Sequence, residues 1–147
     1  MRRLTFEEIR EITIGAISIE QKEDGIHFHK CTKKQEKAWG EIEEILGYRA
    51  RTTTGVRFDF ITDSKTLKLD TADGIKYELL IDGQFIQQVF ADEYRARKQA
   101  IVFDLGAGEK RVTLLLPSHT VGVVKYVEID DGAKLERRSF KTKMLFI

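Results

Sequence analysis

After Tyr48 the chain is written in short alternations. Val56, Phe58 and Phe60 interleave with Arg57 and Asp59, and Leu67 and Leu69 repeat the pattern beyond Asp63-Ser64. A period of two sends successive side chains to opposite faces of a strand, so these stretches predict sheet with one buried and one wet face. KYELLIDGQFIQQVF holds two apolar runs around Asp82-Gly83, the pair that most readily makes a tight hairpin turn. QAIVFDLGAGEKRVTLLLP predicts a second hairpin around Gly106 to Glu109, with Ile101, Phe103 and Leu105 on one arm and Val112, Leu114 and Leu116 on the other. One more strand precedes a turn at Asp131-Gly132.

The first third of the chain carries the helices. Thr5 with Glu8 spells a capping box for a short helix at about residues 6–10, and Ile12 and Ile14 then alternate as in a strand. Asp24-Gly25 marks a turn into the strand of IHFH. Thr32 with Gln35 is another capping box, and Ala38, Ile42, Ile45 and Leu46 follow helical spacing up to Gly47, which predicts an amphipathic helix over about 33–46. Trp39 borders that stripe and is expected to pack the helix onto a sheet. Eight or nine short strands with two helices predict an all-β fold, an antiparallel β-sandwich or jelly roll.

Composition narrows the function. The 147 residues carry 25 Lys plus Arg against 24 Asp plus Glu, a balance that offers no overall field for nucleic acid or an anionic membrane. The basic groups Arg95, Arg97, Lys98 and Lys134, Arg137, Arg138, Lys141, Lys143 have acidic residues dispersed around them and read as solvated loops. No secretion signal and no stretch of about 18 apolar residues is present, which predicts neither export nor a membrane span. Cys31 is alone, which excludes an internal disulfide and suits a cytoplasmic location.

Candidate chemistry is sparse. His27 and His29 share one face of a strand and could meet one metal ion, as in cupins, but the glutamate that cupins place three or four residues later is replaced by Thr32, Lys33 and Lys34. Cys31 lies two residues past His29 without a third positioned group, and no serine occupies a G-x-S-x-G setting. GAGEKR joins two strands and so cannot open a helix around phosphate. No catalytic set, cofactor or metal site is expected. Trp39, Tyr48 and Tyr94 remain as ligand-stacking candidates, with Tyr77 beside them if the chain is a freestanding carbohydrate-binding sandwich.

The phrases ITIGAISIEQKEDGIHFHKCTKKQ, TTTGVRFDFITDSKTLKLD, KYELLIDGQFI and VTLLLPSHTVGVVKYVEIDDGA, in this order, resemble the non-catalytic N-terminal domain of bacterial SGNH/GDSL-type hydrolases. The resemblance implies a jelly-roll accessory domain over residues 1–143 that docks on a catalytic domain and borders its cleft, in contact with acylated carbohydrate, as in some carbohydrate esterases. It also implies that Met144, Leu145, Phe146 and Ile147 begin the first strand of that catalytic domain and form the domain interface. Gly-Asp-Ser and Asp-x-x-His, which carry catalysis in these hydrolases, have no counterpart in this sequence.

Overall fold

In the computed structural model, which describes residues 1–140, the chain starts with β1 (Arg2–Arg3) and enters α1 (Phe6–Ile12) through a complete capping box. Thr5 Oγ1 accepts the Glu8 amide at 3.2 Å and the Glu8 carboxylate accepts the Thr5 amide at 2.8 Å, which satisfies donors that a first helical turn leaves open. The helix runs past residue 10 because Ile9 and Ile12 share a face and both are buried. The strand expected there shortens to β2 (Thr13–Ile14), and β3 (Ser18–Gln21) and β4 (Ile26–His29) pair across Asp24-Gly25. Met144 to Ile147 lie outside the described residues.

The single helix expected over 33–46 is two helices. α2 (Lys33–Ile42) starts in the Thr32–Gln35 capping box and stops where Glu43 becomes extended, at φ −151° and ψ 141°. α3 (Glu44–Arg51) then folds back along it. A Cβ on Gly47 would lie 2.7 Å from Gly40 Cα, so the helices meet where neither carries a side chain. In one continuous helix those glycines would stand about 10 Å apart along the axis. Gly47 is thus a crossing point inside α3, and no residue of α2 is buried.

The strands that follow are β5 (Arg57–Thr62), β6 (Thr66–Asp73), β7 (Lys76–Ile81), β8 (Gln84–Phe90), β9 (Ile101–Asp104), β10 (Lys110–Leu115), β11 (Val123–Ile129) and β12 (Glu136–Arg137), with α4 (Ala91–Ala96) between β8 and β9. They form two antiparallel sheets, one in the order β3-β4-β11-β6-β9 with β1 beside β11, the other in the order β12-β5-β10-β7-β8 with β2 beside β5. The fold is an all-β sandwich with short helices.

The β7–β8 hairpin closes as expected, with Asp82 at φ 51° and Gly83 at φ 81°. The second expected hairpin does not form. β9 pairs with β6 in the first sheet, while β10 pairs with β5 and β7 in the second, and the GAGE turn carries the chain across the end of the sandwich. Both arms are apolar at every second position. Such faces bury fully when they oppose each other across a core, whereas pairing edge to edge would leave the shared face open. Phe103 and Leu105 from one sheet and Val112 and Leu114 from the other accordingly join one core with Phe58, Phe60, Leu67, Leu69, Leu79 and Val127. Phe28 meets Phe58 edge-on across it, ring centroids 5.6 Å apart.

One polar network locks that end. Lys110 is buried, and its ammonium donates at 2.7 Å to the Ser64 carbonyl in the β5–β6 turn and at 2.7 Å to the Gly106 carbonyl in the β9–β10 turn. Burial pushes the lysine pKa below its usual value, against the pull of Asp63, Asp130, Asp82 and Asp104. Ser64 Oγ donates to the Thr66 carbonyl and accepts the Asp130 amide, while Asp130 Oδ2 accepts the Lys65 amide at 2.7 Å. That last bond, with the Ser64 hydroxyl and the Thr66 amide behind it, holds the Asp130 carboxyl below the usual carboxylate range.

Two outcomes follow from this network. Lys110→Met strips a donor from two turn carbonyls, and the urea midpoint should fall by the equivalent of about 1–3 kcal/mol; an unchanged or raised midpoint would show that desolvating the ammonium outweighs its bonds. Asp130 has a lowered folded pKa, so its contribution is fully present above the ordinary carboxylate value of about 3.9 and is lost as pH falls through the folded value. Urea midpoints measured from about pH 5 to pH 2 should drop in the native chain and drop less steeply in Asp130→Asn.

Candidate functional site

α3 and its C-cap carry Ile45, Tyr48, Arg49 and, at the cap, Thr52 at the spacing that places side chains on one helical face. That face, the residue after β4 and the loop between β10 and β11 enclose a groove of about 490 Å³ lined also by Lys30, Thr54, Ser118 and His119. Its walls are tied together. Lys30 Nζ donates to Thr52 Oγ1 at 3.1 Å, and Thr52 Oγ1 donates to the Arg49 carbonyl at 2.8 Å. Buried Thr53 Oγ1 donates to the Pro117 carbonyl at 2.6 Å and accepts the Gly122 amide at 3.1 Å, and Thr54 Oγ1 donates to the Ser118 carbonyl. A Cβ on Gly122 would sit 2.9 Å from the Pro117 ring and 3.0 Å from Thr53 Oγ1, which is why the loop can wrap this closely only at glycine. Among the described residues no carboxylate lines the groove. A shallower depression beside it shares Lys30 and Arg49 and adds Cys31, Trp39, Leu46 and Ala50.

A larger cleft of about 780 Å³ lies on the outer face of the first sheet. Arg3 stacks on Tyr126 with its guanidinium 3.8 Å from the ring centre and reaches Glu128 at 3.1 Å. Arg95 is spent on Thr71 Oγ1 and the Gly74 carbonyl. Lys98 and Lys125 face Glu23, Asp24 and Asp70 here, so both charge signs line the cleft.

The histidines singled out in the sequence do not converge. His27 Nε2 pairs with Asp24 Oδ1 at 2.7 Å. His29 Nδ1 sits 3.2 Å from Glu36 Oε1, linking β4 to α2, and its Nε2 lies 3.3 Å from Glu20 Oε2 without hydrogen-bond geometry. Among the described residues no three His, Cys, Asp or Glu side chains are grouped to hold a metal ion. His119 enters the groove instead.

Trp39 corrects an expectation. It is 47% exposed on α2 rather than packed onto a sheet, because the helix pair is held by its glycine crossing and leaves the predicted stripe outward, Ile42 being 66% exposed. Tyr48 stands in the groove, Tyr94 packs against the core beneath Arg97, and Tyr77 is fully buried with its hydroxyl donating to the Asp73 carbonyl. The aromatics therefore sit on separate elements. Exposed apolar side chains concentrate in two patches, Trp39, Ile42, Ile45 and Tyr48 on the helix pair and Ile75, Phe85, Ile86 and Phe90 along the edge strand β8. The basic residues are mostly engaged: Lys134 reaches Glu109 and Glu136, and Arg57, Arg111 and Arg138 gather on buried Asp59. No described helix is long and apolar enough to cross a membrane. Lys30, Arg49, Thr54 and Ser118 were not singled out by sequence reasoning; they come from three separate segments and share no motif.

The sequence matches no protein-family model and no curated protein sequence. The fold is similar to that of the salicylyl-acyltransferase SsfX3 from a tetracycline biosynthetic pathway, with a TM-score of 0.70 and 22% identity over 88% of this chain and 39% of that one. It is also similar to a GDSL-like lipase from Bacteroides ovatus, with a TM-score of 0.57 and 18% identity over 92% of this chain and 43% of that one. The chain thus spans about two-fifths of the length of these two proteins.

Proposed function

We propose that the chain is the non-catalytic N-terminal accessory domain of a GDSL/SGNH-type ester hydrolase or acyltransferase of bacterial, cytoplasmic type, docked on a catalytic domain of the same polypeptide. The observation that carries this reading is the shared fold: two chains, one named as an acyltransferase and one as a GDSL-like lipase, contain this sandwich as about two-fifths of their length. The order of the resembling phrases along the sequence supports it independently. Docking would cover part of the exposed apolar surface on the helix pair or along β8, which is more than scattered single side chains need. Met144 to Ile147 would then enter the sheet of the catalytic domain, as a continuous apolar run does in a parallel sheet.

A carbohydrate-binding role takes its support from the mixed cleft on the first sheet, where donors and acceptors flank Tyr126, the kind of lining that meets hydroxyl-rich ligands. It serves the same reading if the bound molecule is an acylated sugar presented to the catalytic domain. As a freestanding module it has less behind it, because Tyr94 packs against the core and Tyr77 is fully buried, which leaves Trp39 and Tyr48 as the exposed members of that set.

The reading frame beyond Ile147 should encode Gly-Asp-Ser directly after the apolar run; a stop codon or an unrelated segment there would overturn the proposal. Truncation after Lys143 should move the melting temperature by no more than about 2–4 °C, the equivalent of roughly 1 kcal/mol in a chain of this size, while lowering self-association measured by sedimentation. A larger loss would place those residues in the core of this domain. The isolated chain should hydrolyse p-nitrophenyl acetate no faster than buffer does, since among the described residues no serine or cysteine is hydrogen-bonded to a histidine that could serve as its base. Turnover abolished by Cys31→Ala or His29→Ala would contradict that.

A further inference from the structure

We propose that the groove between α3 and the loop leading to β11 binds an organic anion, a phosphate or carboxylate group carried on an apolar or aromatic body. The charge pattern points to the head group. Lys30, Arg49 and His119 line a space of about 490 Å³ that has no carboxylate among its described lining residues. Lys30 has only the neutral Thr52 hydroxyl as partner, and among the described residues Arg49 and His119 enter no side-chain hydrogen bond or ion pair. Several cations elsewhere are held by carboxylates instead. Arg2 is paired with Glu8, Lys134 with Glu109 and Glu136, and three arginines share Asp59. A guanidinium left open beside an ammonium suits an oxyanion, which it can hold through two parallel N–H bonds.

The remaining lining sets the rest of the ligand. Ile45 and the Tyr48 ring add apolar surface to the lining, and Ser118 and Thr54 add short polar groups. The volume falls within the range of about 300–1,000 Å³ common for small-molecule sites. The walls are positioned before any ligand arrives, because buried Thr53 pins the loop through Pro117 and Gly122 and Lys30 is already aimed by Thr52, which lowers the ordering cost of binding. The larger cleft on the first sheet lacks this bias, since Glu23, Asp24 and Asp70 face its cations. The groove lies within this chain, so the proposal stands apart from the accessory-domain reading and is tested on the chain alone.

The experiment is a titration of the full 147-residue chain with phenyl phosphate, followed by calorimetry and by amide chemical shifts, with benzoate, inorganic phosphate and phenol in parallel. Saturable 1:1 binding of phenyl phosphate, of benzoate or of both is expected, with shifts confined to residues around Lys30, Tyr48, Arg49 and His119; the tighter of the two names the head group. Inorganic phosphate and phenol should each bind more weakly. Arg49→Gln should weaken binding about tenfold or more, the loss of a charge-assisted contact, and Lys30→Gln provides a second variant if the first folds poorly. Lys125→Gln, in the other cleft, should leave binding unchanged. Absence of saturable binding by both aromatic anions, equal binding of phenol, equal binding of inorganic phosphate, or indifference to Arg49→Gln and Lys30→Gln would each overturn the proposal.

Discussion

One ammonium group, that of Lys110, joins two of the turns through which the chain passes from sheet to sheet at one end of the sandwich. Its position is a consequence of topology. Strands adjacent in sequence go to opposite sheets at β5–β6 and β9–β10, so the crossing turns bring backbone carbonyls over the edge of a core that offers them no water. A buried carbonyl without a donor is costly, and a long cationic side chain from a neighbouring strand can serve two at once. The burial that pushes the Lys110 pKa down is the cost of that service, and the surrounding carboxylates of Asp63, Asp130, Asp82 and Asp104 offset part of it. The sheets can then face each other across an apolar interior while the Ser64 and Gly106 carbonyls keep a donor.

The opposite design governs the helix pair. There no long side chain mediates the contact, and Gly40 meets Gly47 backbone to backbone. α3 is anchored through Ala50 and through the Thr52 to Thr54 segment, while α2 reaches the sheets through His29 and Glu36. Apolar residues that a longer amphipathic helix would have buried are left outward, and the cationic groove opens beneath them.

How much of this was legible follows from whether the signal was local. Both capping boxes form as spelled at Thr5 and Thr32, and the Asp82-Gly83 hairpin closes with both residues at positive φ. Alternation named the core correctly at Phe58, Phe60, Leu67, Leu69, Phe103 and Leu114. It could not name strand partners, because an inward-facing strand looks the same whether its neighbour in sequence pairs with it or faces it across the core; the GAGE turn was misread for this reason. The helix break at Glu43 was hidden because Gly47 also suits a helix end, and only the approach of Gly40 shows it to be a contact. The groove was illegible for a further reason: position 30, positions 45–54 and positions 118–119 become neighbours only when the β10–β11 loop closes on Thr53.

The glycine crossing has a consequence for how the groove can diverge. Because α2 and α3 touch through backbone, the close approach of the pair depends on Gly47, where a side chain has no room, more than on what the outward side chains are. Ile45, Tyr48 and Arg49 can therefore be exchanged for residues of other size or charge while the helices keep their places. Sequences sharing this architecture are free to drift in what the groove accepts, whereas at Gly47 an added Cβ would press within 2.7 Å of the Gly40 backbone.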